Sequence, residues 1–314
     1  MFTINAVSVT DAVLTDSNVT EADATEYSSA HHPYNIGATV MVTTTANGAS
    51  VATHKIYTST ASSNSADPTL RTTYVSGDED VFWWTEVGST NRFKMFDGVV
   101  QSQTVFAGGI EVELTPTTYT PALALINVNA ASVDVVVDST ADGEVYNESY
   151  SLVSDSGIDD WYEYFFTPIE RISELVLTDL PSYLDATITV SINDATSAAC
   201  GELIVGTMFT IGQSLHGANL GIIDYSVKTT NEITGNVTVQ SGPYARRAQV
   251  DVMCDTARTP AISNYLASIR QQPVVWVPDV GNAATITYGF FKEFNVILSD
   301  NYTSLCNLQI EGLT

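Results

Sequence analysis

Basic residues are scarce in this sequence. Its 314 residues include 11 lysines and arginines against 36 aspartates and glutamates, which gives a formal net charge of −25. A surface of this sign repels phosphate, so we expect no nucleic-acid partner. An anionic membrane surface is disfavoured for the same reason.

Long apolar runs are missing too. No stretch reaches the roughly 18 consecutive apolar residues that a membrane-spanning helix needs, so we expect no membrane insertion. Met1–Asn5 provides neither a basic segment nor the start of an apolar one, and we therefore expect no secretory signal. The composition is nevertheless 44% hydrophobic, with a mean hydropathy of +0.08, which is ample for folded domains.

Cysteine is rare, and no Cys-x-x-Cys or Cys/His metal pattern occurs. The three cysteines, Cys200, Cys254 and Cys306, lie in apolar or alternating stretches, so we predict buried free thiols in a chain that folds in a reducing cytoplasm.

Enzyme motifs are also absent: there is no GxSxG, P-loop, HExxH or GxGxxG. Among the four histidines, the adjacent pair His31–His32 has no third metal ligand nearby. With 36 acidic residues, some carboxylate pair will have glycosidase spacing by chance, so a glycan depolymerase is only a third hypothesis. We predict no catalytic residue, no metal site and no cofactor.

The acidic residues are unevenly distributed. Residues 1–205 contain 28 acidic and 5 basic residues, whereas residues 206–314 contain 8 and 6. This step predicts a domain boundary near Gly206. The acidic part is typical of a solvated surface adapted to salt. Calcium binding at Asp78–Asp80 or Asp155–Asp160 is the alternative, although neither cluster has the ligand spacing of an EF-hand loop.

Apolar periodicity divides the chain into four parts and predicts a mainly β fold. Residues 1–32 have sparse apolar positions and suggest a weakly packed N-terminal arm. Residues 33–90 suggest a small, aromatic-rich β unit. Residues 91–205 contain many short strands, such as Gly109–Leu114, separated by turn residues, which is typical of an antiparallel β-sandwich. Residues 206–314 combine strands with one helix, an α+β unit.

That helix has a clear sequence signature. Thr259 is suited to cap it and Pro260 to its first position. Apolar residues then recur with helical spacing, and Gln271–Pro273 ends the pattern. The recurring residues are Ile262, Tyr265, Leu266 and Ile269.

Aromatic residues concentrate in the second part of the chain. Tyr34, Tyr57, Trp83 and Trp84 are accompanied by the amides Asn35 and Asn91. Flat rings can stack on the C–H faces of sugars while neighbouring amides bind hydroxyl groups. The alternative is that the rings form the core of the β unit. Because neighbouring side chains on a strand point to opposite faces, we expect one tryptophan in the core and the other outside.

Two resemblances to known families follow from local motifs. The second part of the chain resembles the small chitin- and cellulose-binding modules of bacterial chitinases. The residues that carry this resemblance are Tyr34–Val40, His54–Tyr57, Asp67-Pro68 and the two tryptophans. Further motifs, in matching order from about residue 34 to the end, resemble tail-tip or baseplate proteins of long-tailed bacteriophages, which are often described as carbohydrate-binding tail proteins. These motifs are Gly88–Gly98, Leu220–Ser226, Tyr244–Arg247, Tyr288–Phe294 and Leu308–Leu313.

The second resemblance implies a virion structural protein that is synthesised in the host cytoplasm. It implies a galactose-binding-like jelly roll in residues 91–205 and, in residues 206–314, a ring-forming domain related to distal tail and tail-tube proteins. Partners would be further copies of the chain, as a trimer or hexamer, and the tube and hub proteins. Host-surface polysaccharide is the alternative partner, bound through Tyr34, Tyr57, Trp83, Trp84 and Asn91.

For assembly, we predict contacts in the nearly neutral C-terminal part, where little like charge opposes ring closure. The candidate residues are Tyr244, Arg246, Arg247, Tyr288, Phe290, Phe291 and Lys292. Arg246 and Arg247 are two of only six basic residues in this part, so we expect them to meet an acidic neighbour.

Overall fold

The computed structural model describes residues 1–76, 79–154, 160–166, 170–181, 183–230, 235–298, 300 and 302–313. The fold is mainly β, as predicted. The strands are β1 (Phe2–Ala6), β2 (Leu14–Ser17), β3 (Thr25–Glu26), β4 (Thr39–Val42), β5 (Lys55–Ser59), β6 (Thr73–Ser76), β7 (Glu79–Phe82), β8 (Trp84–Ser89), β9 (Thr104–Ala107), β10 (Ile110–Leu114), β11 (Ala122–Asn129), β12 (Ser132–Ser139), β13 (Gly143–Ser151), β14 (Val153–Ser154), β15 (Glu170–Arg171), β16 (Glu174–Leu177), β17 (Ala186–Asn193), β18 (Ser197–Thr210), β19 (Gln213–Ser214), β20 (Asn219–Asp224), β21 (Val227–Thr230), β22 (Val237–Gln240), β23 (Tyr244–Asp255), β24 (Val274–Val277), β25 (Thr287–Leu298) and β26 (Thr303–Gly312). The helices are α1 (Trp161–Phe166) and α2 (Thr259–Ser268).

One large antiparallel sheet runs through most of the molecule. Its order is β16-β11-β18-β1-β24-β25-β26-β23-β19, with β9 added beside β18 and β20 beside β23. Side chains from both halves of this order, such as Val176 on β16 and Tyr288 on β25, lie in the same buried cluster. The sheet therefore curls, with this cluster on its inner face.

The predicted sandwich is present. A second sheet, with the order β13-β12-β17-β10-β2, faces the β16, β11 and β18 side of the large sheet. Alternating residues along its strands point inward, as β17 shows with Ile188, Val190 and Ile192. These side chains share one core with Leu123 and Leu203 of the large sheet.

The C-terminal unit is an antiparallel sheet with one helix packed on it, also as predicted. Helix α2 buries Ile262 and Leu266 against strands β23, β24 and β26, where Trp276 is fully buried. The predicted cap is wrong. Asp255 accepts a hydrogen bond from the N–H of Ala257 in a 3₁₀ turn that leads into α2, whereas Thr259 is the first helical residue and its buried hydroxyl has no partner in the described part of the chain.

The N-terminal segment differs from the prediction. Strand β1 is a central strand of the large sheet, paired with β18 on one side and β24 on the other, and Thr3 and Ile4 are fully buried. The prediction of a weakly packed arm is thus wrong for these residues. Strand β18 runs without interruption through Gly206, so the predicted boundary is spanned by one continuous strand and one continuous sheet.

The aromatic-rich unit forms a sheet of its own, with the order β3-β4-β5-β8, and β6 and β7 form a separate two-stranded ribbon beside it. A further difference concerns local structure, because the short helix α1 was not predicted.

Candidate functional site

An exposed β-hairpin and the strand before it form the most conspicuous surface of the C-terminal part. Strand β20 pairs with β23 in the register Asn219↔Gln249 to Asp224↔Tyr244, and β21 pairs with β22. All eight residues of β21 and β22 are exposed. We call residues 219–230 and 235–240 the hairpin surface.

The hairpin surface is exposed to solvent and nevertheless carries several apolar side chains. Its exposed apolar residues, with exposed fractions between 43% and 72%, are Leu220, Ile222, Val227, Val237 and Val239. Consecutive β-branched residues such as Val237-Thr238-Val239 favour an extended backbone, which explains the strands. A two-stranded hairpin that is solvated on both faces is only marginally stable on its own in water, so burial against another surface would stabilise it.

A groove lies at the base of the hairpin. It has a volume of about 520 Å³ and contains mainly apolar surface. Its lining residues are Tyr225, Pro243, Phe290, Phe291, Lys292, Glu311, Gly312 and Leu313. Lys292 Nζ lies 3.5 Å from Glu311 Oε2, and the Tyr225 hydroxyl donates a 3.4 Å hydrogen bond to the other carboxylate oxygen. The charged groups at the groove therefore neutralise one another.

The structure brings some of the predicted assembly residues to this surface and places others in the interior. Tyr244, Arg247 and Lys292 are exposed, and Phe290 and Phe291 are half-buried at the groove. Tyr288 is only 7% exposed and belongs to the core inside the curled sheet.

Arg246 has an intramolecular role that the sequence did not indicate. Its Nη2 lies 2.7 Å from Oε1 of Glu174, and its Nη1 donates a 3.4 Å hydrogen bond to the carbonyl oxygen of Ile286. Glu174 begins β16, at the far end of the large sheet from β23. The acidic neighbour of Arg246 is thus in the same chain, where the pair joins the two ends of the curled sheet.

Three of the predicted sugar-binding residues form a core. Tyr57 and Trp84 are 6% and 7% exposed and pack with Tyr27, while Tyr34 packs against the ring of Trp84 at a centroid distance of 5.3 Å. The Trp84 indole N–H donates to the carbonyl oxygen of Ala66 at 2.9 Å. The buried rings of Tyr57 and Trp84 have no face left for a sugar to stack on, whereas Tyr34 is half-buried.

Asn91 is engaged by backbone groups. Its side-chain amide donates to the carbonyl oxygen of Val105 at 2.8 Å and accepts from the N–H of the same residue at 3.1 Å. This geometry fixes the loop before β9, and it uses both ends of the amide that a sugar would need.

Trp83 packs against the same aromatic core as Trp84 but is less buried. It is half-buried, and its ring is 4.5 Å from that of Tyr74. Next to it, Phe82 is 42% exposed, with the Arg71 guanidinium 5.2 Å above its ring. We call Arg71, Tyr74, Phe82 and Trp83 the aromatic patch.

His54 connects the aromatic unit to the N-terminal segment. Its Nδ1 lies 3.0 Å from Glu21 Oε1, its Nε2 lies 3.0 Å from Asp11 Oδ1, and its ring stacks on Phe93 at 4.0 Å. Burial alone would lower the pKa of His54, but the hydrogen bonds and charges of Glu21 and Asp11 outweigh it and raise the pKa. The imidazolium form is therefore favoured between two carboxylates.

Within the described residues, no three or more His, Cys, Asp or Glu side chains are grouped so that they could hold a metal ion. Asp78 and residues 155–159 of the candidate calcium clusters lie outside the described residues. The three cysteines are buried free thiols, as predicted. None of the helices described here combines the length and apolar character needed to cross a membrane.

Comparison with known proteins identified no relative: no protein-family model, no curated protein and no solved structure matches this chain significantly.

Proposed function

We propose that this protein is a structural protein of a bacteriophage tail tip or baseplate, assembled as a homo-oligomeric ring or collar through residues 206–314. The tube and hub proteins of the tail are its proposed neighbours in the virion. The phage assignment rests on the sequence motifs given above. The assembly assignment rests on one observation: an exposed apolar hairpin and an apolar groove are parts of the same C-terminal unit.

The hydrophobic effect supplies the driving force for this assembly. Burying exposed valine and isoleucine side chains releases roughly 25 cal/mol for each Å² of apolar surface. In the proposed ring, strands β21 and β22 of one copy pack on the groove of the next copy. Such a head-to-tail contact generates a ring when its rotation closes.

The charge distribution favours the same region. Two copies with a net charge of −25 each repel one another, and the repulsion is weakest where residues 206–314 face each other, since these carry a net charge of only −2. In this arrangement the acidic β domains of residues 1–205 project outward into solvent.

The test is the mass of the particle measured by analytical ultracentrifugation at 150 and 500 mM NaCl. We expect a trimer or hexamer for the wild type, and monomers for the double variant Val237→Asp/Val239→Asp. The matched control is Val51→Asp/Val87→Asp, which adds the same charge at valines that are 55% and 63% exposed in the aromatic unit. A monomeric wild type, or equal dissociation of both variants, contradicts the proposal.

A second function, binding of host-surface polysaccharide, is favoured by the aromatic patch. Phe82 and Trp83 offer aromatic surface beside the guanidinium of Arg71, a combination suited to sugar rings and their hydroxyl groups. On this hypothesis Phe82→Ala and Trp83→Ala weaken binding to host polysaccharide without changing the oligomeric mass. Tyr119→Ala, at a tyrosine that is 54% exposed outside the patch, is the control. Absence of binding to any candidate host polysaccharide excludes this function.

A further inference from the structure

Two of the three cysteines are neighbours in the core that helix α2 covers. Cys254 lies on β23 and Cys306 lies on the adjacent strand β26, and both belong to the buried cluster of the C-terminal unit. In the register of these strands, Cys306 lies opposite Val252 and Cys254 lies opposite Ser304. The two cysteines are therefore diagonal neighbours, with their side chains on the same face of the sheet.

The sulfur atoms of this pair are in direct contact. Sγ of Cys254 lies 3.1 Å from Sγ of Cys306, and it also donates a 3.5 Å hydrogen bond to the carbonyl oxygen of Ser304. Both cysteines are free thiols. A disulfide bond is about 2 Å long, so the sulfurs need to approach by only about 1 Å for a bond to form between them. The two strands thus already hold the reacting atoms next to each other.

Cys254 is the more accessible member of the pair. It is the last residue but one of β23 and is 4% exposed, whereas Cys306 is fully buried. Strand ends open locally at a low cost in free energy, so a small reagent can reach Cys254. Burial, with the hydrogen bond to Cys254 added, raises the pKa of the Cys306 thiol and keeps it protonated at neutral pH. Cys254 is therefore the thiol that reacts first.

We propose that Cys254 and Cys306 form a site of reversible oxidation, at which hydrogen peroxide converts the two thiols into a disulfide that ties β23 to β26. The Cys254 thiol loses its proton, and the thiolate attacks one peroxide oxygen and breaks the O–O bond, which gives a sulfenic acid and one water. The Cys306 sulfur then attacks the sulfenic sulfur, loses its proton and expels the hydroxyl group as a second water. The two sulfurs are oxidised, and the two peroxide oxygens are reduced.

The disulfide would restrain a large part of the C-terminal unit. It joins residues that are 52 positions apart, and the loop that it closes contains α2, β24 and β25. A cross-link over a long loop limits the conformations of the unfolded chain and so stabilises the folded one. A reducing compartment keeps the pair as thiols, whereas an oxidising medium favours the disulfide. Oxidation therefore reinforces this unit once the protein is in an oxidising medium.

The experiment treats the reduced full chain with hydrogen peroxide, removes the peroxide with catalase and then unfolds the chain in urea with N-ethylmaleimide to alkylate the remaining thiols. Intact mass and peptide mapping without reductant identify the bonded cysteines. Cys200 is an internal control in the wild type, because it lies in the core of the sandwich, in a different cluster. The matched variants are Cys306→Ala, which removes one member of the pair, and Cys200→Ala, which retains both.

In the oxidised wild type we expect Cys200 to be alkylated and Cys254 to be disulfide-linked to Cys306, and dithiothreitol should restore all three thiols. Cys200→Ala should form the same cross-link, and Cys306→Ala should form no disulfide within the chain. The oxidised wild type should melt at least about 4 °C above the reduced protein. Three alkylated thiols after peroxide treatment, a disulfide that includes Cys200, sulfinic acid at Cys254 beside a free Cys306 thiol, or an unchanged or lower melting temperature overturns the proposal.

Discussion

Replacing Arg246 with methionine should destabilise the fold, because Arg246 pairs with a carboxylate from the opposite end of the large sheet. The two side chains are 32% and 11% exposed, and the pair is 2.7 Å long. Exposed ion pairs contribute about 0.2–1 kcal/mol, whereas breaking a buried pair costs about 3–5 kcal/mol. For this half-buried pair we expect a loss of about 2 kcal/mol, most of it from leaving Glu174 without its partner.

The assay is urea unfolding monitored by far-UV circular dichroism, with Arg247→Met as the matched control. Arg247 is the next residue on the same strand, its side chain points to the opposite face and it is exposed. We expect its replacement to change the free energy of unfolding by less than about 0.5 kcal/mol. A double-mutant cycle with Glu174→Gln should give a coupling energy of about 1 kcal/mol or more.

Equal destabilisation by Arg246→Met and Arg247→Met would refute this reasoning, as would a coupling energy near zero. The prediction also separates the two arginines functionally. Arg246 acts within the chain, so its loss lowers stability, whereas Arg247 is available for contacts between chains.

Two further predictions concern the segments that join the parts of the molecule. His54 has a raised pKa, so its pairing with Asp11 and Glu21 stabilises the fold fully below pH 6.5, and this contribution is lost as the pH rises through the folded-state pKa. The difference in melting temperature between wild type and His54→Asn should therefore shrink from pH 6 to pH 9. Asparagine is chosen because it tolerates the positive φ of 52° at this position. A constant difference would contradict the stabilising role of the His54 charge. Gly206→Ala should lower stability by about 2 kcal/mol or more, because the new Cβ would lie 2.0 Å from the Asn5 carbonyl oxygen. Gly221→Ala is the control, since no atom lies within 4 Å of its new Cβ. Equal melting temperatures for the two variants would show that β1 is not held against β18 as described.

The local pattern predicted the elements well where one face is buried and the other is solvated. The helical spacing of Ile262 and Leu266 identified α2, and the alternation over Gly109–Leu114 identified β10, because burial imposes a period on the sequence. The sandwich followed from the number and spacing of such strands.

Long-range pairing was not predictable in the same way. Strand β1 pairs with β18 and β24, which lie about 200 and 270 residues further along the chain. The five residues of β1 do not indicate which strands they pair with. The ion pair of Arg246 and Glu174 likewise depends on the curl of the whole sheet. The acidic neighbour expected for Arg246 exists, but it belongs to the same chain.

The aromatic residues illustrate a different difficulty. A ring in a core and a ring in a sugar site occur in the same sequence context, so Trp83 and Trp84 could not be told apart before their environments were known. The hairpin surface was not predicted, although the β-branched run Val237-Thr238-Val239 is typical of a strand. Its exposure on both faces became apparent only from the three-dimensional arrangement.

Assembly through residues 206–314 is tested by electron microscopy of the negatively stained full chain at low and high salt. We expect closed rings with three or six copies, and acidic β domains on the outside. Single particles at both salt concentrations would contradict it.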